Sequence, residues 1–167
     1  VDKKYYDKFD GRPNIFILFI IKSLELLSDN GILSFILPKS FLNCLYYDKT
    51  RKHINEHFKI LNIEELNDNY IDTKQKTIIL ITQKTNLNDN IDNNKPYIFN
   101  KSDFTIFGTP QNIKKIREFY NNSKTLYELG FNVSVGNVVW NQCKNELTDD
   151  EKTLLVYSSN IKDNKLK

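Results

Sequence analysis

The residues of this chain that could do chemistry are few and far apart. His53 and His57 lie four residues apart, the spacing that places two metal ligands on one helix face. No third ligand or glutamate-flanked zinc signature accompanies them, so the sequence favours two surface histidines. Cys44 and Cys143 lack metal-ligand spacing, and we expect them to be free thiols in a reducing compartment.

Other catalytic signatures do not occur in the 167 residues. The sequence has no glycine-rich phosphate loop and no serine, histidine and aspartate set with hydrolase spacing. The net charge of +3 permits a polyanionic partner without requiring one, because positive charges must cluster on one surface to attract a polyanion. No run approaches the ~20 apolar residues that span a bilayer. The chain starts at Val1 and contains no methionine, from which we expect a piece of a longer protein.

A helix, a strand and a second helix over residues 14–58 would have to position any site. Asn14 is a suitable cap for the first helix, which we place over residues 14–28. Lys22 and Glu25 interrupt its apolar surface. Apolar residues at helical spacing predict a packing face made of Ile15, Leu18, Phe19 and Leu26.

The strand that follows is predicted over residues 32–37. Its nearly all-apolar sequence is typical of a parallel strand covered on both faces, and Pro38 should end it. A helix, strand and helix in this order form half of a doubly wound α/β domain. Ligands bind such domains at the carboxyl ends of the strands, which predicts a site at residues 38–40.

The second helix is predicted to begin near Leu45 and to pack through Leu45, Ile54 and Phe58. We interpret Lys49, Arg51 and Lys52 as a solvated positive face. Further strands are predicted at residues 59–66, 76–84 and 96–100.

A helix with Thr109 as cap and Pro110 in its first position is predicted next, packing through Ile113, Ile116 and Phe119. A short helical turn over residues 125–130 and β segments at 131–147 and 153–161 complete the prediction. We place a domain boundary within residues 101–110.

Four segments in this order resemble the second half of the catalytic domain of amino-DNA methyltransferases, specifically the adenine-N6 group similar to the TaqI and Eco57I modification enzymes. The segments are NIFILFIIKSLELL, NGILSFILPKSFLN, YYDKTRKHI and KTIILITQK. The residues at matching places are Asn14-Ile15-Phe16, Gly31, Pro38, Phe41-Leu42 and Arg51. The resemblance covers about residues 1–84 and, more loosely, the tail.

The resemblance implies an α/β fold: the second half of a Rossmann-like S-adenosylmethionine-dependent methyltransferase domain over residues 1–104. The start of a mixed α+β target-recognition module would follow over residues 105–167. The implied activity is adenine-N6 methylation of double-stranded DNA in a cytoplasmic restriction-modification system. The S-adenosylmethionine loop and the Asn-Pro-Pro-Tyr catalytic segment of the family should lie N-terminal to Val1. This chain therefore lacks the cofactor site, needs the missing N-terminal half, and should be inactive alone.

Site residues carry over from the resemblance at only a few positions. Tyr70 occupies the place of the aromatic residue that stacks on the extruded adenine, and an aromatic face would offset part of the lost base stacking. Lys74 and Lys76 beside it would meet phosphates. A loop tyrosine packed on the sheet edge and plain strand-edge lysines are the alternatives.

The tail resembles the entry to a target-recognition domain, which reads base edges through polar side chains. The cluster to test there comprises Trp140, Asn141, Gln142 and Lys144. A buried tryptophan with its neighbours in a turn is the alternative.

Two other classes of function stay open. One is a DNA-binding specificity module that has no catalysis of its own and complements a separate catalytic chain. The other is a decayed remnant without a ligand.

Overall fold

The computed structural model shows a mixed α/β architecture. It describes residues 3–8, 14–66, 75–85, 94–101, 104–134, 138, 142–150 and 152–166. The chain divides into two compact units, Val1–Lys124 and Thr125–Lys167. Within the described ranges, no helix has the length and apolar character needed to cross a membrane.

In its described residues, the first unit contains three α-helices and five strands. The helices are α1 (Ile15–Leu26), α2 (Asp48–His57) and α3 (Pro110–Asn121). The strands are β1 (Ile32–Pro38), β2 (Phe58–Leu66), β3 (Thr77–Lys84), β4 (Ile98–Lys101) and β5 (Phe104–Phe107). Short 3₁₀ turns cover Lys3–Lys8, Lys39–Leu42, Leu45–Tyr47 and Lys95–Tyr97.

The first three strands form one sheet in the order β1-β3-β2. β3 runs antiparallel to both neighbours, so β1 and β2 run parallel to each other with β3 between them. α2 connects these two parallel strands. The predicted strands at 59–66, 76–84 and 96–100 therefore exist. The strand that pairs with β1 is antiparallel to it, whereas the sequence predicted that β1 is a parallel strand.

The prediction that β1 is a parallel strand covered on both faces is wrong. Phe35 and Leu37 are buried, whereas Ile32 and Ile36 on the opposite face are 59% and 63% exposed. An all-apolar strand satisfies one buried face as readily as two, because its sequence does not reveal which elements cover it. Its predicted end is confirmed, since β1 stops at Pro38.

The predicted cap of α1 is confirmed, but its predicted packing face is wrong. The Asn14 side chain accepts a hydrogen bond from the Phe16 N–H at 3.1 Å. The face that is buried in the core consists of Ile17, Ile20, Ile21 and Leu24. Three residues assigned to the packing face, Ile15, Phe19 and Leu26, are 83%, 66% and 83% exposed. Both sets have helical spacing, and the exposed set shares its side of the helix with Lys22 and Glu25.

The second predicted helix is partly confirmed. Ile54 and Phe58 are buried as expected, whereas Leu45 is 71% exposed within a 3₁₀ turn that precedes α2. Phe58 is already the first residue of β2. The side chains of the main core cluster come from α1, α2, the three-stranded sheet, the β4–β5 hairpin and the 3₁₀ turns at Lys3–Lys8 and Lys39–Leu42.

Backbone groups at a β-bulge in β2 form hydrogen bonds with side chains of the segment that precedes β4. The register shifts between Ile60 and Asn62, which leaves Leu61 unpaired in the ladder. The Tyr97 hydroxyl donates to the Leu61 carbonyl at 3.0 Å. The fully buried Asn94 accepts from the Ile60 N–H at 2.6 Å and donates to the Phe58 carbonyl at 2.8 Å.

The first unit continues past the predicted domain division at residues 104 and 105. β5 pairs with β4, and Phe107 is buried in the main core. α3 follows with Thr109 as cap and Pro110 in the first turn, as predicted. Ile113 is fully buried, but the third predicted packing residue, Phe119, is 69% exposed. The identities of residues 1–104 and 105–167 as catalytic and recognition domains stay predictions.

The second unit opens with the predicted helical turn at residues 125–130. Thr125 and Glu128 cap it reciprocally: the Thr125 N–H donates to the Glu128 carboxylate at 2.7 Å, and the Glu128 N–H donates to Thr125 Oγ1 at 3.1 Å. Gly130 ends the turn at φ 82°, where a side chain would be strained.

The predicted β segments of the second unit are wrong for the residues that the structure describes. Residues 131–134 and 142–157 contain a 3₁₀ turn at Lys144–Glu146 and no strand in their described positions. Among the described residues of this unit, strands occur only as the two-residue pair β6 (Ile161–Lys162) and β7 (Lys165–Leu166), so Ile161 is the one described residue of the predicted segments that lies in a strand. No described hydrophobic residue after Thr125 is buried, so the described residues of this unit offer no core on which longer strands could pack.

Substituting Asn94 with alanine should destabilise the first unit. The Ile60 N–H would lose its acceptor inside the core, which costs about 1–3 kcal/mol for an unsatisfied buried group. Urea unfolding measures the change. Asn100→Ala on the exposed part of β4 is the matched control and should stay within about 0.5 kcal/mol. Equal midpoints for the two variants would contradict the role of Asn94.

Candidate functional site

The carboxyl ends of β1 and β2 meet at one edge of the sheet. Pro38 and Leu66 both lie opposite Thr77, the first residue of β3. We call this place the carboxyl edge; it contains the residues 38–40 where the sequence predicts a ligand. The parallel relation of β1 and β2 is what brings their ends together.

The segment that carries the predicted base-stacking residue is attached to this edge at both ends. Residues 67–74 connect Leu66 to the start of β3, and Tyr70 and Lys74 lie in that segment, outside the described residues. Lys76 is described and exposed, and its carbonyl accepts the Lys39 N–H at 2.9 Å. The roles of Tyr70, Lys74 and Lys76 stay predictions, but the anchors of their segment are in place.

One carboxylate joins three elements at the carboxyl edge. Glu65, at the end of β2, forms an ion pair with Lys39 in the turn after β1. Its other oxygen accepts a hydrogen bond at 2.9 Å from the Asn112 side chain, in the first turn of α3. The first turn of α3 therefore begins beside the candidate site. Sequence reasoning missed this contact, because its partners lie 26 and 47 residues from Glu65.

Arg51 holds the turn after β1 in place. Its exposed fraction is 1%, so the prediction that it belongs to a solvated positive face is wrong. Nη1 donates to the Phe41 and Cys44 carbonyls at 2.8 and 2.9 Å, and Nε donates to the Thr105 carbonyl at 2.6 Å. The planar guanidinium has donors in several directions, which a lysine lacks.

Asp48 balances this buried charge. One carboxylate oxygen lies 3.3 Å from Arg51 Nη2 and also accepts the Thr105 N–H at 2.7 Å, while the other lies 2.8 Å from Lys52 Nζ. Burial alone would raise the pKa of Asp48. The hydrogen bonds from Lys52 and Thr105, together with the charges of Lys52 and Arg51, outweigh burial and lower it. Asp48 is therefore ionised at neutral pH and compensates Arg51.

Aromatic packing completes the support beneath the turn. Phe41 is fully buried and stacks on Tyr47 with ring centroids 5.7 Å apart. It also meets Phe107 of β5 edge-on at 6.3 Å. Because Phe41 sits inside the core, the preceding Lys39 and Ser40 are fixed at the surface of the carboxyl edge.

The histidine pair lies in a different cleft of about 340 Å³, lined also by Glu25, Asp29 and Lys84. The rings of His53 and His57 are 4.5 Å apart. The prediction of two surface histidines is confirmed for His57 but not for His53. His53 is half-buried, and its Nδ1 has no hydrogen-bond partner within the described structure. Burial, followed by the charges of Lys8 and His57, lowers the pKa of His53 to about 4.

The predicted recognition cluster is only partly described. Trp140 and Asn141 lie outside the described residues, while Gln142 and Lys144 are exposed in and beside a 3₁₀ turn of the second unit. Their role in reading bases stays a prediction.

Replacing Arg51 with methionine should strongly destabilise the chain. Asp48 would be left buried with less compensation, and three carbonyls would lose their donor; breaking such a pair costs about 3–5 kcal/mol. Arg51→Lys should recover only part of the lost stability, because one ammonium group does not reproduce the several donor directions of the guanidinium. Chemical unfolding measures both variants against Lys49→Met on the exposed side of α2. A small loss for Arg51→Met, similar to the control, would refute this account.

Acidification should destabilise the chain through His53. The pKa of His53 is about 4 in the folded state, against an ordinary value of 6.5, so the unfolded chain binds more protons between these values. The free energy of unfolding should therefore fall as pH decreases from 6.5 towards 4. His53→Gln should flatten this dependence, whereas His57→Gln should keep most of it, because burial is the main cause of the shift. An unchanged slope in His53→Gln would contradict the assignment.

The first part of the chain is similar to a known protein family. Residues 1–75 match the family model described as Eco57I restriction-modification methylase. No curated protein and no solved structure matches the chain. The matched residues include β1, Arg51 and β2, and they end just before β3. This similarity to restriction-modification methylases supports a methyltransferase-related function.

Proposed function

We propose that the chain is part of an S-adenosylmethionine-dependent DNA methyltransferase that modifies adenine N6 in a restriction-modification system. The observation that carries the proposal is the methylase match over residues 1–75, which covers the carboxyl ends of β1 and β2 and the segment between β2 and β3. The chain would contribute a base-binding edge and DNA contacts to the enzyme.

The carboxyl edge suits the handling of an extruded base. An enzyme that modifies a base inside a duplex must take it out of the stack, and an aromatic side chain offsets part of that cost. Tyr70 belongs to a segment whose two ends are held at this edge by β2 and β3. Arg51 and Phe41 fix the neighbouring turn from below, so the edge is rigid where the base would bind.

Gly31 and Gly108 do not provide a cradle for the methyl donor. A cofactor cradle needs glycines that leave open space, but a Cβ atom at Gly31 would lie 2.8 Å from the Ser28 carbonyl oxygen, and one at Gly108 would lie 3.3 Å from Ile113. Both glycines serve close packing. In this proposal, S-adenosylmethionine and the Asn-Pro-Pro-Tyr groups belong to an N-terminal half of the catalytic domain, as the resemblance of the sequence implies.

The open edge of β1 supports such a partner. Gly31 and Lys39 hydrogen-bond towards β3, so the alternate residues Ile32, Ser34 and Ile36 direct their N–H and C=O groups away from it. Within the described residues, β1 pairs with β3 alone. An exposed apolar edge of this kind is suited to pairing with a further strand.

Methyl transfer from labelled S-adenosylmethionine to duplex DNA tests the proposal, using the chain extended upstream through the missing half. We expect label on adenine N6. Tyr70→Ala should lower kcat/KM roughly 5- to 150-fold, the equivalent of about 1–3 kcal/mol of base stacking, while Tyr70→Phe keeps the ring and most of the rate. Absence of transfer by a folded, cofactor-binding chain would favour the specificity module without catalysis.

A further inference from the structure

Positive charge is concentrated in one part of the first unit. Residues 94–124 contain six basic and two acidic side chains, a net charge of +4, whereas the whole chain carries +3. All other residues together are therefore slightly acidic. The net charge of the chain understates the positive potential of this region, which covers β4, β5 and α3.

Three exposed lysines of this region, Lys101, Lys114 and Lys115, form what we call the basic face. Lys114 and Lys115 are neighbours on the solvent side of α3. The Lys101 ammonium lies over the ring of Tyr120, 4.8 Å from its centroid, which holds it against α3. Within the described residues, none of the three lysines forms an ion pair.

The helix that carries Lys114 and Lys115 of the basic face is firmly anchored. Arg117 Nη2 donates to the Lys95 and Ile98 carbonyls at 2.6 and 2.8 Å, so its charge is met by backbone dipoles rather than by a carboxylate. Ile113 is fully buried on the opposite side of α3. Lys114 and Lys115 therefore project from a rigid element, which reduces the entropy lost when they bind a ligand.

The basic face is also connected to the candidate site. Asn112, three residues before Lys115 and therefore its neighbour on the surface of α3, donates to Glu65 at the carboxyl edge. A ligand that lies along α3 would thus pass the place where the segment bearing Tyr70 is anchored. The polyanion expected at a base-modifying site is the sugar-phosphate backbone on either side of the base.

We propose that the basic face binds backbone phosphates of duplex DNA beside the extruded base. DNA as the ligand rests on the proposed function, whereas the surface itself rests on charge and exposure. Gln111 and Asn121 are exposed on the same helix and can donate hydrogen bonds to phosphate oxygens. A membrane surface fits less well, because Phe119 is the one large apolar side chain exposed on α3 and interfacial helices need a broad apolar face.

The salt dependence of DNA binding tests this surface. Fluorescence anisotropy of a labelled duplex is measured with the 167-residue chain, without cofactor, from 50 to 200 mM NaCl. In the triple variant Lys101→Gln, Lys114→Gln, Lys115→Gln, the slope of log K against log salt should become shallower by about 2.7, since each phosphate contact contributes about 0.9. The ratio of the DNA affinity of the unmodified chain to that of the triple variant should then fall roughly 40-fold between 50 and 200 mM NaCl.

A control with the same loss of charge is Lys22→Gln, Lys49→Gln, Lys59→Gln, on α1, α2 and the start of β2. It should leave the slope nearly unchanged, and unfolding curves verify that both variants fold. Equal slopes in the two variants, or no binding by the unmodified chain, would overturn the proposal. Competition by polyglutamate as effective as by duplex DNA would also overturn it, in favour of an acidic protein partner. DNA binding through this face without methyl transfer by the extended chain would refute the proposed function alone.

Discussion

The buried guanidinium of Arg51 is the constraint on which the arrangement of the first unit depends. It reaches three carbonyls and one carboxylate, which belong to the turn after β1, to α2 and to β5. Taking this charge out of water costs several kcal/mol, and only the full set of partners offsets the cost. Any shift of the turn or of β5 would leave donors unpaired in the core, so the interaction selects one arrangement of these elements.

The carboxyl edge owes its form to that selection. β1 and β2 are parallel and end at the same edge of the sheet on either side of β3, but the polar groups beyond their ends would be free to move without support from below. Arg51 and Phe41 supply this support to the turn after β1, and Glu65 ties the turn to β2 and α3. The buried charge of Arg51 beneath the carboxyl edge thus has a structural role, which is separate from the role of the exposed charges around the edge.

Local chemistry in the sequence predicted the ends of elements well, and long-range contacts poorly. Asn14, Thr109 and Pro110 specify helix starts through their own backbone and side-chain geometry, and the structure confirms them. The packing face of α1 was not predictable from apolar spacing alone, because the helix is apolar nearly all round; the position of Lys22 was the better signal. Arg51 resembled a surface cation because its partners Thr105 and Phe41 lie far from it along the chain. The predicted division between residues 104 and 105 falls within β5, which pairs with β4, and the identities of the two domains stay predictions.

The types of cation in the first unit also indicate how it would contribute to DNA recognition. Arginine reads guanine through paired donors, whereas lysine meets a phosphate as a point charge. The two arginines that the structure describes, Arg51 and Arg117, both donate to backbone carbonyls, and the basic face consists of lysines. Under the proposed function, the first unit would therefore supply affinity that is sensitive to salt and insensitive to sequence. Discrimination between target sequences would then have to come from other residues, such as those predicted around Trp140.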